Sequence, residues 1–371
     1  MNFVVIKSNI KESLNISERG ISDNDNNLPV LKNVLIKADG GNIDFISTNL
    51  EIAVTCRTSG KIIEKGAIAA PLKALNGIIS NIPNERINIE SKGNKLTIKS
   101  DNYEAVLDCV PEDDFPITPK LKKESGYIEI SSDELIKSVS GVLNASQFSD
   151  LRPELNGVLF KLEINNDLKI AATDSFRLAE KTIPFDKINT NHKEDIEFIM
   201  PLKTAYEAIR AVKSGGVVRI YSDENQIILK TDNIEIFSRI LEGKFPDYKH
   251  IIPNKFKSEI TVKKDDFMSA IKLSGVFSGK SGEIKLEAKT PKFLKISSSD
   301  QAIGENTYNL PAKVDGKVEG ISFNWRYLLD AIKSLDGEDV FLGINEDNEP
   351  SLIRSAKDMS YSYILKPVVS V

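Results

Sequence analysis

An α+β fold, built as three tandem domains with two helices packed on β-sheet in each, is what the amino-acid sequence predicts, and three observations carry that expectation. Strand-like openings lead into amphipathic helices three times, at Phe3 to Leu14 (FVVIKSNIKESL), Tyr127 to Val139 (YIEISSDELIKSV) and Glu259 to Ile271 (EITVKKDDFMSAI). A second helical segment recurs at Pro71 (PLKALNGIISNIP), Pro201 (PLKTAYEAIRAVKS) and, more divergently, Asn324 (NWRYLLDAIKSL). Its first two copies are each followed by paired strand patterns ending in Phe-Pro, at Phe115-Pro116 and Phe245-Pro246. A period this long marks a duplicated domain, not the unit of a solenoid.

Within each repeat the order is strand, helix, several strands, a second helix and further strands, with both helices on one sheet face. The first helix of the central repeat places Leu135, Ile136, Val139, Val142 and Leu143 at helical spacing, with Asp133 positioned to cap it. Among the second helices the apolar stripes are Leu72, Leu75, Ile78, Ile79 and Ile82; Leu202, Ala205, Ile209 and Val212; and Leu328, Leu329, Ile332 and Leu335. Pro71 and Pro201 suit a first helical turn, where a missing N–H costs little. The alternating RINIESKGNKLTIKSD, with its Lys-Gly-Asn turn, and VVRIYSDENQIILKTD, with Asp223-Glu224-Asn225, predict hairpins. LPVLKNVLIK from Leu28 aligns with RPELNGVLFK from Arg152, and STNLE from Ser47 aligns with ATDSFRLAE from Ala172. SSSDQA from Ser297 is a weaker third copy of the latter. The polar stretches Pro116 to Gly126 and Pro253 to Glu259 have linker composition, so the expected domains are 1–124, 125–252 and 253–371.

One third of the 371 residues is about 124, close to the common domain size of ~100–150. With 40% hydrophobic and 28% charged residues, each third can bury a core of its own. Cys56 and Cys109 are too few and too isolated for a disulfide framework or a four-ligand zinc site, which points to a reducing compartment, the cytoplasm by default. The opening MNFVVIKSNI lacks the apolar core of a signal peptide, and no stretch approaches the ~18 apolar residues of a membrane span. A net charge of −5 argues against a protein that coats nucleic acid by charge alone.

Candidate catalytic chemistry is sparse. GVFSGKS, Gly275 to Ser281, resembles a phosphate-binding loop but is one residue short. It also follows a helix and precedes a strand, the reverse of the order such loops need. A calcium loop counted from Asp23 in SDNDNN would need Gly at its sixth position and Glu at its twelfth, where Leu28 and Val34 stand. Glu112-Asp113-Asp114 reads as a hydrated turn. His192 and His250 are the only histidines, neither beside a nucleophile motif, and both read as exposed loop residues. No enzyme activity, cofactor or metal is expected. The polar faces of the helices instead carry Lys11, Arg19, Lys73, Lys137, Lys203, Arg210, Lys213, Lys263, Lys264, Lys272, Arg326 and Lys333. Helix by helix this is an ordinary solvated face. Three like domains that present equivalent faces together would sum to a positive surface.

ATDSFRLAE (Ala172 to Glu180), LEGKFPDYKHIIP (Leu241 to Pro253) and the terminal YILKPV together resemble the bacterial replicative sliding clamp, the β subunit of DNA polymerase III. The likeness spans the chain in length, triple repeat and motif order, and includes the LPVL and LNGVLF segments. It implies three tandem clamp-type domains per chain, and a head-to-tail homodimer closed into a ring whose helices line a hole that admits duplex DNA of any sequence. Of the basic residues above, Lys11, Arg19, Lys73, Lys137, Lys203, Arg210, Lys213, Lys264, Lys272, Arg326 and Lys333 would face the DNA. The resemblance also implies a peptide cleft that receives motifs from the DNA polymerase III core, the clamp loader and other proteins carrying clamp-binding peptides. Carried over by position, it comprises Leu155, Thr173, Ser175, Phe176, Arg177, Leu178, Pro246, Tyr248, His250, Ile251, Ile364, Lys366, Pro367 and Val368. Ser175-Phe176 stands where the family often has Gly-His, and His250 and Lys366 replace an Arg and a Met. Pro153 and Glu154 occupy the place of a DNA-contacting aromatic pair, and Asp25 that of a basic loop residue. Leu107 and Leu273 match apolar seam positions, while Lys272 sits at another and either weakens the seam or pairs with an acid across it. Two rival readings are a repeat-domain scaffold that never encircles DNA and a nucleotide-binding enzyme using the Gly275 loop.

Overall fold

The computed structural model describes residues 1–21, 28–117, 126–346 and 348–368. The first repeat runs β1 Asn2–Ile6, α1 Lys7–Ser17, β2 Asn33–Asp39, β3 Asn42–Thr48, β4 Ile52–Ser59, β5 Lys61–Glu64 and β6 Gly66–Pro71. It continues with α2 Leu72–Asn81, β7 Arg86–Lys92, β8 Lys95–Ser100 and β9 Tyr103–Asp108. The second runs β10 Tyr127–Ser131, α3 Ser132–Leu143, β11 Gly157–Leu162, β12 Leu168–Thr173, β13 Arg177–Ile183, β14 Ile188–Thr190 and β15 Ile196–Pro201. Then come α4 Leu202–Ala211, β16 Val217–Ser222, β17 Gln226–Lys230 and β18 Ile234–Arg239. The third is β19 Ser258–Lys263, α5 Lys264–Gly275, β20 Glu283–Thr290, β21 Phe293–Asp300, β22 Gly304–Asp315 and β23 Val318–Asn324. It ends with α6 Trp325–Lys333, β24 Asp339–Ile344, β25 Ser351–Ser355 and β26 Tyr361–Leu365. No helix among the described residues is long and apolar enough to cross a membrane.

Alternation decides which face each strand buries. In β1, Phe3 and Val5 are buried and join Ile10 and Leu14 of α1, Leu72, Leu75 and Ile79 of α2, and Ile87, Ile89, Leu96 and Ile98 of the following hairpin in one core. That hairpin turns through Gly93, whose φ of 57° lies in the left-handed region that glycine adopts without cost. Most of the helical stripe residues turn inward: Leu328, Leu329, Ile332 and Leu335 are buried, as are Ala205 and Val212, while Ile78, Leu202 and Ile209 are half-buried.

Two local expectations need correction. Asp133 is not a cap for its own helix: it is the second residue of α3, and its carboxylate accepts from the Ser214 hydroxyl and the Gly215 N–H. Pro71 and Pro201 close β6 and β15 immediately before α2 and α4, so the missing N–H falls one position ahead of the first turn.

The helix starts are tied down in a repeated way. The N–H groups of Lys7, Ser132 and Lys264 donate to the carbonyls of Glu85, Gly216 and Glu338. In the outer repeats the lysine also reaches the C-terminal end of the second helix, Lys7 Nζ to the Ile82 carbonyl and Lys264 Nζ to the Leu335 carbonyl, both at 2.5 Å. A cation there meets the negative end of the helix dipole.

Two compact units result, and neither is a single repeat. One holds Met1–Asp133, Asn189–Asn191 and Glu207–Ile240; the other holds Glu134–Ile188, His192–Tyr206 and Leu241–Val371. The first contains a 5-stranded sheet, β5-β1-β7-β8-β9, and a 9-stranded one, β14-β10-β16-β17-β18-β4-β3-β2-β6. The second contains a 12-stranded sheet, β15-β11-β12-β13-β26-β25-β24-β19-β22-β21-β20-β23. In each unit a strand of one repeat pairs with a strand of the next. β18 runs antiparallel to β4, with Ile234 opposite Cys56 and Ser238 opposite Ile52. β26 runs antiparallel to β13, with Tyr361 opposite Lys181 and Leu365 opposite Arg177.

The turn before each receiving strand shows that β4, β13 and β22 are equivalent. Asn49 Oδ1 accepts from the N–H groups of Glu51 and Ile52, Asp174 Oδ1 from those of Phe176 and Arg177, and Asp300 Oδ1 from those of Ala302 and Ile303. Side-chain oxygens of Asn and Asp build such turns readily. Equivalence exposes two strands that have no such partner among the described residues: β9 ends its sheet, and residues 304–310 of β22 pair only with β21.

The β13–β26 junction is pinned by Arg177. Its Nε lies 2.8 Å from Asp174, its Nη1 2.8 Å from Asp330 of α6 and 3.4 Å from the Tyr363 hydroxyl, and its guanidinium carbon sits 4.0 Å from the centre of the Tyr327 ring. Burial works against the charge, but Tyr363 and Asp174 outweigh it and raise the pKa above the ordinary arginine value.

Two stability measurements follow from these contacts. Replacing Lys264 by Met should lower stability by about 1 kcal/mol, read as a reduced urea midpoint at unchanged slope, and Lys7→Met should match it. Arg177→Ala leaves buried Asp174 without its cation and should cost about 3–5 kcal/mol; Arg177→Lys recovers little, because an ammonium cannot serve several directions and stack on Tyr327 as well.

Candidate functional site

In the second unit one sheet face gathers a compact apolar cluster. Leu178 of β13 and Ile364 of β26 are register partners, and with Leu352 of β25 they join Leu159, Ala171, Ile199, Phe245 and Tyr248. Phe245 and Tyr248 meet edge to face with ring centres 5.9 Å apart, and Ile251 and Ile252 pack beside them half-buried. The segment from Phe245 to Ile252 is thus laid over the sheet and held by two aromatic anchors.

The turn at Asp174 to Arg177 sits at the end of this cluster. Thr173 Oγ1 donates to the Arg177 carbonyl at 2.7 Å and accepts from the Ser175 N–H at 3.1 Å, which holds Ser175 at a φ of 78°. That left-handed conformation favours glycine, and Leu50, at the matching place in the first repeat, adopts it too with a φ of 73°. Arg152 Nη1 donates to Ser175 Oγ at 3.1 Å. The Phe176 carbonyl accepts from the Lys366 N–H at 2.9 Å, and the Val368 N–H donates to Ser322 at 2.8 Å, so the tail runs alongside the turn. As expected, it leaves the sheet after Leu365, before Pro367.

The residues carried over from the resemblance therefore separate into buried and exposed members. Leu155, Leu178, Tyr248 and Ile364 are buried, as is Thr173. Phe176, His250 and Lys366 are exposed, and Ser175, Pro246, Ile251, Pro367 and Val368 are half-buried. Arg177 is engaged inward. Sequence reasoning did not place Phe245 and Leu352 beside these residues, and it missed Glu180, a buried carboxylate that accepts from the Tyr248 hydroxyl at 2.5 Å. Strand alternation held that last signal, because Leu178 and Glu180 lie two apart on one strand. Phe148 and Leu151, 72% and 93% exposed in the loop before Arg152, were also passed over.

Some of the basic residues read onto helix faces are matched by acids, and Lys263 closes β19 instead of lying on a helix. Arg19 and Arg210 both pair with Glu207, Lys213 pairs with Glu12, Lys137 with Asp336, and Lys263 with Glu338 and Asp339. Lys264 is held by the Leu335 carbonyl and is not a free surface charge. Arg326 lies 5.1 Å from the Trp325 ring, and Lys73 and Lys203 are exposed. Lys11, Lys272 and Lys333 are exposed with no acidic partner among the described residues.

Apolar groups stand exposed at the two unpaired strand edges. On β9 these are Tyr103 and Val106, 42% and 51% exposed, next to Leu107, which is half-buried against the first unit's core. Near the start of β22 they are Ile303 at 57%, with Leu273 and Val276 at 51% and 60% around the end of α5.

The sites first considered for catalysis resolve as structural features. Gly275 is the last residue of α5 and packs against the Trp325 ring, which a Cβ there would meet at 2.7 Å, and the loop after it closes on itself through the Ser278 and Ser281 hydroxyls. Glu112 pairs with Lys37 beside a short turn. Cys109 is buried and its thiol pushed up to about 11, and burial likewise raises Cys56. His192 is half-buried, not exposed as expected, and burial lowers its pKa. Asp25 and the whole SDNDNN run lie outside the described residues. A cavity of about 520 Å³ in the first unit, lined by Glu12, Ser13, Cys56, Arg57, Lys213 and Ile234 among others, shares no residue with the apolar cluster.

Comparison with known proteins accounts for this arrangement. Family models described as the N-terminal, central and C-terminal domains of the DNA polymerase III beta subunit match residues 1–119, 129–247 and 249–369. The beta sliding clamp of Bacillus subtilis (strain 168) is 28% identical over 381 residues, covering 99% of both chains, and that of Synechococcus elongatus is 24% identical with the same coverage. The crystal structure of the DNA polymerase sliding clamp from Bacillus subtilis superimposes with a TM-score of 0.94 at 27% identity over 100% of both chains. A Pseudomonas aeruginosa clamp structure shares the fold with a TM-score of 0.92 at 24% identity. With three tandem clamp domains, two helices on sheet in each, the chain belongs to the DNA polymerase III beta subunit family, the beta sliding clamps, which are processivity factors with no catalytic activity of their own.

Proposed function

We propose that two copies of this chain close head to tail into a ring that encircles duplex DNA and tethers the replicative polymerase to it. The observation that carries this reading is the pair of unsatisfied strand edges. Each junction inside the chain joins the last strand of one repeat to the β4-type strand of another, and the same joint is left open once at β9 and once at β22. A heterologous contact of this kind closes when its rotation permits, and two copies with three domains each make a six-domain ring. The register follows from equivalence. DNYEAVLD of β9 aligns with DNIEIFSR of β18, so Leu107 takes the place of Ser238 and would lie opposite Ile303, the counterpart of Ile52. Leu273 and Val276 would then cover the joint from α5. Domain limits at 124 and 252 fit this scheme.

Inside such a ring the helix faces would meet phosphates. The charges at Arg19, Lys137, Arg210 and Lys213 are balanced by neighbouring carboxylates, which suits a protein that must move along DNA, because each firm phosphate contact adds to the salt-dependent affinity that would hold it in place. Retention then comes from closure, and sequence is not read. The cleft beside Phe176 and Pro367, floored by Leu178, Tyr248 and Ile364, would take apolar peptide anchors from the polymerase III core, the clamp loader and other clamp-binding proteins. The setting is cytoplasmic.

Loaded onto nicked circular DNA, the protein should survive a high-salt wash and be lost when the circle is cut; equal loss from circle and linear DNA contradicts topological holding. Pro367→Ala combined with Val368→Ala should weaken binding of a polymerase-derived peptide about tenfold in fluorescence anisotropy while the sedimentation coefficient of the dimer stays unchanged. Unchanged peptide affinity would remove the cleft assignment.

A further inference from the structure

Glu180 is buried where the apolar cluster on its sheet face gives way to polar side chains, Lys169, Thr182 and Ser362 among them. Its side chain is 11% exposed; its register partner on β26 is Ser362, and two residues before it on the same face of β13 is Leu178. A carboxylate in such a place is costly unless it is bonded. Its short bond is to the Tyr248 hydroxyl, which donates to Oε2 at 2.5 Å, while Lys169 stands at 4.0 Å. Packing alone would have accepted Leu or Val here, as β13 and its neighbours do elsewhere. What an apolar side chain cannot supply is direction. The phenol is 5% exposed and wedged edge to face against Phe245, so a single bond at its far end fixes both the depth of the ring and its rotation.

Tyr248 belongs to the segment that carries Pro246, His250 and Ile251 past the cleft, and the path of that segment over the sheet sets the cleft's width. We propose that Glu180 is a positioning residue of the peptide cleft: its buried carboxylate holds the Tyr248 ring and, through it, the wall formed by Phe245 to Ile252, so that the site is shaped before any peptide arrives. This rests on the cleft assignment made above. Burial first, and then the neighbouring carboxylate, hold the Tyr248 hydroxyl above the ordinary phenol range, which keeps it a donor. A preformed wall raises affinity by sparing the peptide the cost of ordering it.

The test is a double-mutant cycle on the full-length protein, read by anisotropy with a fluorescein-labelled synthetic peptide carrying the clamp-binding motif of the cognate polymerase. Glu180→Leu and Tyr248→Phe should each weaken binding about five- to tenfold, and the double variant should be no weaker than either, because both remove one bond. Glu180→Gln keeps an acceptor and should restore most of the affinity. Melting temperatures recorded alongside should not track the affinities, since Leu can pack where Glu180 was. If Glu180→Leu binds like the unaltered protein while the Pro367 and Val368 double variant does not, the positioning role is wrong and the cleft stands. Additive losses from Glu180→Leu and Tyr248→Phe would also overturn it. If neither Glu180→Leu nor the tail variant changes affinity, the cleft assignment itself falls, and this role with it.

Discussion

A β-strand with a bare edge is a demand for a partner, and that demand governs this protein. Edges left open invite pairing with whatever chain comes next, so folds either cover them or use them. Here they are used twice within the chain, at β18 with β4 and at β13 with β26, which makes sheets continuous from one repeat to the next. The compact units accordingly ignore repeat boundaries, and the central repeat is divided between them. Three repeats in line make two joints and leave one edge open at each end of the series, here β9 and the first half of β22. Exposed apolar residues beside them, Val106 and Ile303 among others, are what an interface between copies would bury.

Equivalent positions have diverged between repeats, and the divergences locate specialised work. The Asx turn before the receiving strand keeps its side-chain bonds in all three repeats, yet only the second places Phe176 and Ser175 at its tip beside a chain tail. Lysine reaches the end of the second helix in the first and third repeats, while in the second Ser132 stands at that place and its hydroxyl donates to the Gly216 carbonyl, beyond the end of α4. Cys56 and Lys181 stand at matching places in β4 and β13, and the residues opposite them, Ile234 and Tyr361, differ in size. Tyr361 fills its junction and donates to the Gly141 carbonyl at 2.9 Å, whereas Ile234 borders the 520 Å³ cavity. Both joints use the same backbone ladder with different side-chain filling.

Much of the fold was legible in the sequence because period 3.6 in the helices and period 2 in the hairpins each bury one face, and a threefold repetition of that pattern is hard to mistake. The helix stripes at Leu72, Leu202 and Leu328 illustrate this. Cap details were less legible: Asp133 has the right chemistry for an N-cap, but a nearby loop offered its carboxylate better donors. The residues proposed for the peptide cleft could be named only through resemblance, since Leu178, Tyr248 and Ile364 come together from distant segments. Glu180 escaped notice because a lone acid in a strand reads as solvated, and its burial is a tertiary fact. The basic helix faces were legible as residues but not as charge: no local pattern announces that Glu207 sits between Arg19 and Arg210.

The claim that the open edges pair between copies has a direct measurement: oxidation of a variant carrying Leu107→Cys and Ile303→Cys, followed by denaturing electrophoresis. Closure in the proposed register predicts one covalent product, a dimer joined at both seams that migrates as a circular species. Failure to cross-link, or a ladder of ever longer oligomers from open-ended chains, would contradict it.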